Sequence, residues 1–301
     1  MVTRTGIVLE RTGGRYRVVS GDDTLTAALR GRLKQEGELE VLVGDHVTLQ
    51  MQEDGGAVVD GVLPRRSLLT RRLPGKARGR RSIAANVDQV VVVGAVREPA
   101  WEPTLIDRFL AVAEANELRP IVVVNKCDLD PTAERLASPY LAAGYEVVLT
   151  STVRRDGLDA LARLLEHRVT LFTGPTGVGK SSLLNELQPG LRLRTGAVSA
   201  RQHMGRHTTV GAEMHRFGED GFVVDTPGLR DIGLWGLAPR DIAVAFPDIT
   251  RLAAACRFDD CRHLEEPDCA VAAAAEQGTL AATRLASYRT LLAETGQATG
   301  Y

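Results

Sequence analysis

The stretch that most constrains this chain is Gly174-Pro175-Thr176-Gly177-Val178-Gly179-Lys180-Ser181-Ser182. It fits G-x-x-x-x-G-K-[ST], a pattern that cradles phosphate when a strand precedes it and a helix follows it. Residues 169–172 are apolar and partly β-branched, and leucines recur at helical spacing after the loop. The sequence therefore predicts a strand, a phosphate-binding loop and a helix. A glycine-rich turn that matches by chance is the alternative.

The residue types of this loop suit nucleotide phosphates. Gly174, Gly177 and Gly179 permit positive φ and close backbone approach, so that successive N–H groups can point at phosphate oxygens. The N-terminus of the following helix adds unpaired donors and its dipole. We expect Lys180 to reach the β- and γ-phosphates and the Ser181 hydroxyl to bind Mg²⁺.

Composition sets the broad class of the protein. A chain of 301 residues, 44% hydrophobic and 25% charged, has room for about two or three globular domains. No apolar run approaches the length of a membrane span, and residues 1–10 lack the apolar core of a secretory signal. We therefore expect a cytoplasmic protein with no membrane partner. With a net charge of −1, a nucleic-acid partner would require a local basic patch.

Residues 1–64 are predicted to form an all-β domain. Short apolar or alternating runs recur there between glycine-containing turns. About five strands in roughly 60 residues favour a small barrel of the oligonucleotide-binding (OB) type, although an SH3-like barrel would show nearly the same pattern. The predicted strands cover residues 6–9, 16–19, 40–43, 46–49 and 57–59.

Residues 65–83 are predicted to form a basic linker or long loop. Eight positions between residues 65 and 81 are arginine or lysine, and none between residues 64 and 82 is acidic. Positive charge gathered beside such a barrel suits a nucleic-acid phosphate backbone. A solvated, flexible connector is the alternative.

From Ala84 onward the pattern alternates between strands and helices. Such alternation predicts a mostly parallel, doubly wound sheet, in which ligands bind at the carboxyl ends of the strands. The predicted strands are residues 90–93, 120–124, 146–149, 169–172 and 222–224, and the predicted helices include 104–116, 133–143 and 158–167.

Asn125-Lys126-Cys127-Asp128 comes directly after one of these strands. It fits N-K-x-D and resembles the guanine-recognition motif of GTPases. The Asp128 carboxylate can accept from guanine N1–H and from its 2-amino group, a donor pair that adenine lacks. Asn125 can bond the N7/O6 edge and tie this loop to the phosphate loop, and Lys126 can lay its stem over the base. A polar turn between strand and helix is the alternative.

Two shorter motifs extend the candidate nucleotide site. Ser151, after the next predicted strand, resembles the second base-contacting loop of GTPases, although Thr152 stands where alanine is usual. Asp225-Thr226-Pro227-Gly228 follows a strand and resembles D-x-x-G, in which Asp225 would bind Mg²⁺ through water and the Gly228 N–H would sense the γ-phosphate. A plain Pro-Gly turn is the alternative.

The loop Gly205-Arg206-His207-Thr208-Thr209-Val210 lies between the two phosphate motifs. A threonine hydroxyl there would complete the Mg²⁺ shell when γ-phosphate is present, and the loop would loosen after hydrolysis. We favour Thr209 over Thr208 for this contact. A polar surface loop is the alternative.

The order of the motifs is unusual. Small GTPases carry the phosphate loop first and N-K-x-D last, whereas here N-K-x-D begins at Asn125 and the phosphate loop follows from Gly174. The same sheet can accommodate relocated chain ends, because domain termini are often close together. Residues 84–238 are therefore predicted to form a circularly permuted GTPase domain.

Residues 239–301 carry a C-x4-C-x-H-x5-C cluster. Three thiolates and an imidazole at this spacing suit a closed, tetrahedral and therefore structural Zn²⁺ site. Buried free thiols are the alternative. Helices are predicted over residues 270–276 and 280–293, and the candidate ligands are Cys256, Cys261, His263 and Cys269.

Taken in order, the barrel, the permuted motifs, the 205–210 loop and the cysteine–histidine cluster resemble the bacterial ribosome small subunit-dependent GTPase A family. The resemblance covers nearly the whole chain. It implies an OB-like barrel, a central α/β GTPase domain and a C-terminal α-helical zinc domain. It also implies GTP or GDP, Mg²⁺ and Zn²⁺ as ligands, and a monomer that binds the 30S ribosomal subunit and its 16S rRNA. GTP hydrolysis would be slow alone and stimulated by 30S during late maturation of that subunit.

Catalysis poses a specific problem. Leu229 stands where many GTPases have the glutamine that orients the attacking water, and an apolar side chain cannot do so. We therefore predict slow intrinsic turnover, with Lys180 and Thr209 as catalytic residues and His207 as the candidate for orienting water.

Two other classes fit parts of the pattern. A metabolic kinase or ATPase with a phosphate loop would not need Asn125 and Asp128. A nucleic-acid-binding module with a vestigial nucleotide site would not need intact Lys180, Ser181 and Asp225. A GTPase or RNA-binding module with a partner other than the ribosome also remains an alternative.

Overall fold

The computed structural model of the protein describes residues 3–31, 40–53, 56–72, 80–191, 212–225 and 237–297. These residues form thirteen β-strands and eight α-helices. The strands are β1 (Thr3–Thr12), β2 (Arg15–Ser20), β3 (Asp23–Leu29), β4 (His46–Met51), β5 (Ala57–Val62), β6 (Leu68–Arg72), β7 (Arg80–Ala85), β8 (Gln89–Ala95), β9 (Arg119–Asn125), β10 (Glu146–Leu149), β11 (Val169–Thr173), β12 (Glu213–Phe217) and β13 (Gly221–Asp225). The helices are α1 (Pro103–Ala115), α2 (Ala133–Ala143), α3 (Leu158–Leu165), α4 (Lys180–Leu187), α5 (Pro239–Val244), α6 (Pro247–Ala253), α7 (Ala270–Glu276) and α8 (Ala282–Gln297).

The chain divides into two compact units. The barrel unit comprises Met1–Asp88, Leu165–Leu171 and Arg201–Leu229. The helical unit comprises the remaining ranges, which are Gln89–Leu164, Phe172–Ala200 and Arg230–Tyr301.

Strands β1 to β5 form a closed barrel in the barrel unit. β1, β2 and β3 are antiparallel neighbours, β3 runs parallel to β5, and β4 pairs antiparallel with both β5 and β1. Successive side chains of a strand face opposite sides, so alternate residues can fill the interior. The predicted five-stranded barrel is confirmed. Its core is mostly aliphatic, with Tyr16 also buried in it, and includes the fully buried residues Val8, Val18, Val47, Leu49 and Val59.

One predicted barrel strand is wrong. Residues 40–43 form only an isolated bridge, between Val43 and Ala84. The backbone turns there because the Asp45 carboxylate accepts from the Leu42 N–H at 2.8 Å, and the Asp45 N–H donates back to the Leu42 carbonyl at 3.1 Å. The fifth strand of the barrel is β3, which the sequence did not predict. Its inward positions include alanine, so its apolar pattern is weak.

The segment predicted to be a linker contains an ordered hairpin. β6 and β7 pair antiparallel, and Leu69 anchors the hairpin with 2% exposure. Two of the segment's arginines hold its base. Arg65 places Nε and an Nη atom on the buried Asp45 carboxylate at 2.7 and 2.8 Å, and Arg66 lies 3.0 Å from Asp88. The expectation of a loop is therefore wrong for these strands, because ion pairs fix the segment to the barrel.

The barrel unit also includes β12, β13 and β11 as far as Leu171. β11 runs parallel to β13, and β12 forms an antiparallel hairpin with β13. β12 pairs on its other side with β1 of the barrel. The barrel therefore belongs to the same hydrogen-bonded sheet as the strand that ends at Asp225.

The helical unit contains three parallel strands in the order β10-β9-β8. A helix follows each strand along the chain: α1 follows β8, α2 follows β9 and α3 follows β10. All residues of β8 are buried, as expected for a parallel strand covered on both faces. The alternating strands and helices predicted from Ala84 onward are confirmed.

Helices α5 to α8 form the C-terminal part of the helical unit. The ring of Phe246 meets that of Tyr288 edge-on, with centroids 5.5 Å apart. The same core includes Ala111, so these helices pack directly against α1. The helices predicted over residues 270–276 and 280–293 are present as α7 and α8. In the part of the chain that the structure describes, every helix is too short or too polar to cross a membrane.

A buried arginine joins these C-terminal helices to α1. The Arg284 side chain is 1% exposed and donates twice to Asp248, from Nε at 2.9 Å and from an Nη atom at 2.8 Å. Its other Nη atom donates to Asp107 of α1. The guanidinium also lies 4.5 Å from the centre of the Phe246 ring. Burial raises the pKa of Asp107, and the charge of Arg284 opposes that rise.

Removal of this arginine should destabilise the protein strongly. Arg284→Ala leaves Asp107 and Asp248 buried without a counter-ion, which typically costs about 3–5 kcal/mol. Arg119→Ala is the matched control, because the Arg119–Glu146 pair is half-exposed and should contribute about 1 kcal/mol or less. Urea-induced unfolding of the zinc-loaded protein, followed by circular dichroism, measures both. Equal losses in the two variants would contradict this assignment.

Candidate nucleotide and zinc sites

The phosphate loop connects β11 to α4 in the arrangement that its sequence predicts. Gly174, Gly177 and Gly179 all have positive φ, at 135°, 84° and 98°. A Cβ atom on Gly174 would lie 2.1 Å from the Val93 carbonyl oxygen, so glycine is required there. Thr176 and Gly177 are exposed, Val178 is buried, and Ser181 and Ser182 lie in the first turn of α4.

Lys180 folds back over its own loop. Its Nζ donates to the carbonyls of Gly174 and Pro175, each at 2.7 Å. Those carbonyls hold the ammonium group beside the loop's N–H groups, where an anionic phosphate would bind.

Asn125 ties the base-recognition loop to the phosphate loop. It is the last residue of β9 and is 1% exposed. Its Nδ2 donates to the Val178 carbonyl at 2.8 Å, while its Oδ1 accepts from the Thr150 hydroxyl at 2.9 Å. A Cβ atom on Gly179 would lie 2.4 Å from this Nδ2, so glycine also keeps this approach open.

Thr150 was missed by sequence reasoning. It is fully buried, and its hydroxyl fixes which way the Asn125 amide faces. Its position directly before Ser151, at the end of a strand, was the available signal. The side chain matters because an amide held by both its oxygen and its nitrogen cannot rotate without losing two hydrogen bonds.

Ser151 orients the carboxylate of Asp128. The serine hydroxyl donates to Asp128 Oδ1 at 2.5 Å and accepts from the Arg154 N–H at 3.1 Å. Cys127, between Lys126 and Asp128, donates its thiol to the Val124 carbonyl at 3.1 Å, and burial raises its pKa. The thiol of Cys127 therefore packs under the loop.

A segment after β8 supports the base-recognition loop and was also missed. The Glu98 carbonyl accepts a hydrogen bond from Lys126 Nζ. Arg97 donates to Asp130 Oδ2 from Nε at 3.0 Å and from an Nη atom at 2.7 Å. Hydrogen bonds from Thr132, together with Arg97, hold the pKa of Asp130 at about 2.

Asp225 ends β13 and lies opposite Glu213 in register. The other predicted switch residues, His207, Thr208, Thr209 and Gly228, lie outside the described residues.

The four candidate zinc ligands converge. The ligand atoms of Cys256, Cys261, His263 and Cys269 all lie within 4.8 Å of one another. His263 Nδ1 is 3.6 Å from Cys256 Sγ and 3.4 Å from Cys269 Sγ, and these two sulfurs are 4.0 Å apart. Tetrahedral bonds of about 2.0–2.3 Å place neighbouring ligand atoms about 3.5–3.8 Å apart, so the spacing fits Zn²⁺.

The surroundings of the cluster set the protonation of its candidate ligands. Burial lowers the pKa of His263, so the imidazole is neutral and able to ligate at pH 7. Burial also raises the pKa of Cys261 to about 12, so a metal cation has to displace the thiol proton. The His263 carbonyl accepts from Arg289 at 2.7 Å, and the Cys269 sulfur caps α7 by accepting from the Ala272 N–H at 3.4 Å.

Two family models match this chain. Residues 62–235 match the family model described as RsgA GTPase, and residues 5–59 match the RsgA N-terminal domain. The chain belongs to the RsgA family. This confirms the resemblance to the small subunit-dependent GTPase A family.

Relatives and solved structures match the RsgA-family chain over nearly its whole length. It is 46% identical over 292 residues to the small ribosomal subunit biogenesis GTPase RsgA of Gemmatimonas aurantiaca, covering 94% of this chain and 95% of that protein. The protein of the same name from Moorella thermoacetica is 40% identical over 290 residues, covering 96% of each chain. The crystal structure of YjeQ from Thermotoga maritima matches with TM-score 0.80 and 32% identity, over 98% of this chain and 99% of that one. YloQ, a circularly permuted GTPase, matches with TM-score 0.76 and 30% identity, over 100% of this chain and 97% of that one.

Membership of the RsgA family identifies the ligands of the two sites. The nucleotide site takes GTP and GDP with Mg²⁺, and the Cys₃His cluster suits Zn²⁺. The permuted order of motifs is therefore a property that this chain shares with a solved relative.

Zinc content should depend on the cysteines of the cluster and not on Cys127, which lies outside it. Cys261→Ser removes one of four ligands, so the purified variant should lose stoichiometric zinc and part of the roughly 10–16 kcal/mol typical of structural zinc binding. Cys127→Ser is the control, because Cys127 lies outside the cluster and should leave zinc content unchanged. Elemental analysis and thermal melting measure both effects. Full zinc in Cys261→Ser would remove Cys261 from the ligand set.

Proposed function

We propose that this protein is a cytoplasmic GTPase that binds the small (30S) ribosomal subunit and couples GTP hydrolysis to its late maturation and release. Support comes from relatives named small ribosomal subunit biogenesis GTPase that align over more than nine-tenths of the chain. The proposal that the protein binds GTP is supported best by the hydrogen bond from Asn125 Nδ2 to the Val178 carbonyl. This bond joins the loop proposed to recognise guanine to the phosphate loop. The proposed domains are residues 1–64, 84–238 and 239–301, with 65–83 as the basic connection.

Each residue of the nucleotide site has a proposed role. Asp128, oriented by Ser151, accepts from the guanine N1–H and 2-amino groups, and Asn125 contacts its N7/O6 edge. Lys180 exchanges its carbonyl partners for the β- and γ-phosphates. Ser181 and Asp225 hold Mg²⁺.

The switch residues have proposed roles of their own. Thr209, or alternatively Thr208, completes the Mg²⁺ shell, and the Gly228 N–H senses the γ-phosphate. His207 orients the attacking water, because Leu229 is apolar and cannot.

The β6–β7 hairpin is the proposed contact with 16S rRNA. Its register places Arg71 opposite Arg81 and Arg72 opposite Arg80. Four arginines at backbone positions this close favour an anionic partner at this end of the hairpin. RNA phosphates supply that charge. We propose that the protein binds as a monomer, because one chain carries the barrel, the hairpin and the nucleotide motifs.

GTP hydrolysis should be stimulated by 30S subunits and not by 50S subunits. The purified protein should turn over slowly alone, and 30S should raise kcat by about 10-fold or more, within the range that activating partners give GTPases. Phosphate release at matched subunit concentrations measures this. Normal GTP binding without stimulation by 30S would exclude the ribosomal function and leave a GTPase with another partner.

Two variants separate binding from catalysis in this assay. Asp128→Asn should abolish tight GDP binding, because an amide cannot accept from both guanine donors. His207→Ala should keep GDP binding and lose most 30S-stimulated turnover, about 100-fold if it acts on the attacking water. Unchanged stimulated kcat in His207→Ala would show that another group orients the water.

Charge reversal in the hairpin should weaken 30S binding. Arg72→Glu with Arg80→Glu should lower affinity at least about 10-fold and reduce the slope of log affinity against log salt by about 1 to 2. Arg65 and Arg66 are left intact because they pair with Asp45 and Asp88. Arg119→Glu with Arg240→Glu is the control, made at exposed sites outside the hairpin. Equal affinity and salt slope in the two double variants would reject the hairpin as the contact.

A further inference from the structure

One cross-strand row runs from the barrel to Asp225. Arg17 of β2 lies opposite Glu10 of β1, Glu10 lies opposite Glu213 of β12, and Glu213 lies opposite Asp225 of β13. Residues opposite one another share a face of the sheet, with Cβ atoms about 4.5–5.5 Å apart. The row therefore contains three carboxylates and one guanidinium, and its last member is the proposed Mg²⁺ carboxylate.

Arg17 joins the two strands at the centre of this row. Its Nη atom donates to Glu213 Oε1 at 2.8 Å, and its Nε lies 3.0 Å from Glu10 Oε2. Glu10 and Glu213 are the register partners through which β1 pairs with β12. Without the guanidinium, two like charges would face each other across that pair, which is destabilising. Arg17 therefore stabilises this register pair. We call Arg17, Glu10 and Glu213 the Arg17 clasp.

Other contacts keep β12 beside the barrel without the clasp. The fully buried Met214 has its Cε 3.2 Å from the position that a Cβ atom on Gly44 would occupy. An Nη atom of Arg216 donates to the Gly21 carbonyl, in the turn between β2 and β3, at 3.0 Å. Loss of Arg17 should therefore loosen the register of β12 while the unit stays folded.

We propose that Arg17 is a positioning residue that keeps the barrel and the β12–β13 hairpin moving as one body. A barrel displaced by docking on RNA then carries β12 and β13 with it, and thereby displaces Asp225, the proposed Mg²⁺ ligand. The Arg17 clasp thereby couples docking of the barrel to GTP hydrolysis. This inference rests on the proposed function, and it adds the path by which the partner is sensed.

The test compares three variants with the wild type. Arg17→Ala opens the clasp. Arg17→Ala with Glu10→Gln also opens it but removes one of the two opposed charges. Arg4→Ala is the matched control, because Arg4 makes an exposed ion pair with Asp23 at 2.9 Å within the barrel and lies outside the row. Hydrogen exchange of residues 213–217 and GTP hydrolysis with and without 30S are measured for each variant.

We expect Arg17→Ala to bind GDP and hydrolyse GTP alone within about twofold of wild type, while 30S stimulation falls about 10-fold. Amide exchange in β12 should rise about 10-fold, because the register pair is no longer protected. Adding Glu10→Gln should restore most of both properties, since the like-charge contact is gone. A side chain that contributed only through its packing would not be rescued by removal of the Glu10 charge.

Other outcomes overturn the inference. The proposed role of the Arg17 clasp is wrong if Arg17→Ala matches Arg4→Ala in both hydrogen exchange and 30S stimulation. It is also wrong if the double variant shows the same exchange and the same stimulation as Arg17→Ala. A wild type without 30S stimulation rejects the proposed function instead, and hydrogen exchange then tests the clasp by itself. Should Arg17→Ala fail to fold, Arg17→Gln replaces it, because glutamine keeps much of the side chain and removes only the charge.

Discussion

The nucleotide site depends on the side-chain amide of Asn125. This one group bonds the carbonyl of Val178 in the phosphate loop and the hydroxyl of Thr150 after β10. Loops that follow three different strands are thereby held at fixed spacing. Because the amide is buried and bonded at both ends, any change in spacing would leave a polar atom without a partner in a dry environment.

The same interaction explains why the permuted order is tolerated. The base-recognition loop and the phosphate loop are held together by hydrogen bonds between side chain and backbone, and these do not depend on which loop comes first in the chain. What the site requires is that both loops lie at carboxyl ends of strands in the α/β fold. The relocated chain ends then leave Asp225 on a strand pair that also carries the barrel.

Sequence reasoning succeeded where a residue's task is local. The conformation of the phosphate loop and the convergence of the four candidate metal ligands were predictable, because both patterns need particular residue types at fixed spacing. It failed for β3, because an inward alanine gives a weak apolar signal, and for residues 40–43, because Asp45 binds the Leu42 backbone and a turn replaces the expected strand. Thr150 was missed because its role exists only through Asn125, which lies 25 residues earlier in the sequence.

Charge counting also has a limit that the structure makes explicit. The basic segment was predicted from its number of arginines, but Arg65 and Arg66 are already neutralised by Asp45 and Asp88. Their task is to fix the base of the hairpin. The segment's other arginines and its lysine follow in sequence, between residues 71 and 81.

The ion pairs of Arg284 with Asp107 and Asp248 fix the register of the helices and add little stability beyond that of an apolar contact in their place. A buried arginine between Asp107 and Asp248 carries a desolvation cost, and apolar residues of similar volume often stabilise a protein as much or more. An apolar contact, however, would allow α8 to slide along α1, since dispersion and burial are not directional. The forked guanidinium bonds both carboxylates only in one register. The C-terminal helices, with the candidate zinc ligands in the segment between α6 and α7, are thereby set in one orientation on the helix that follows β8.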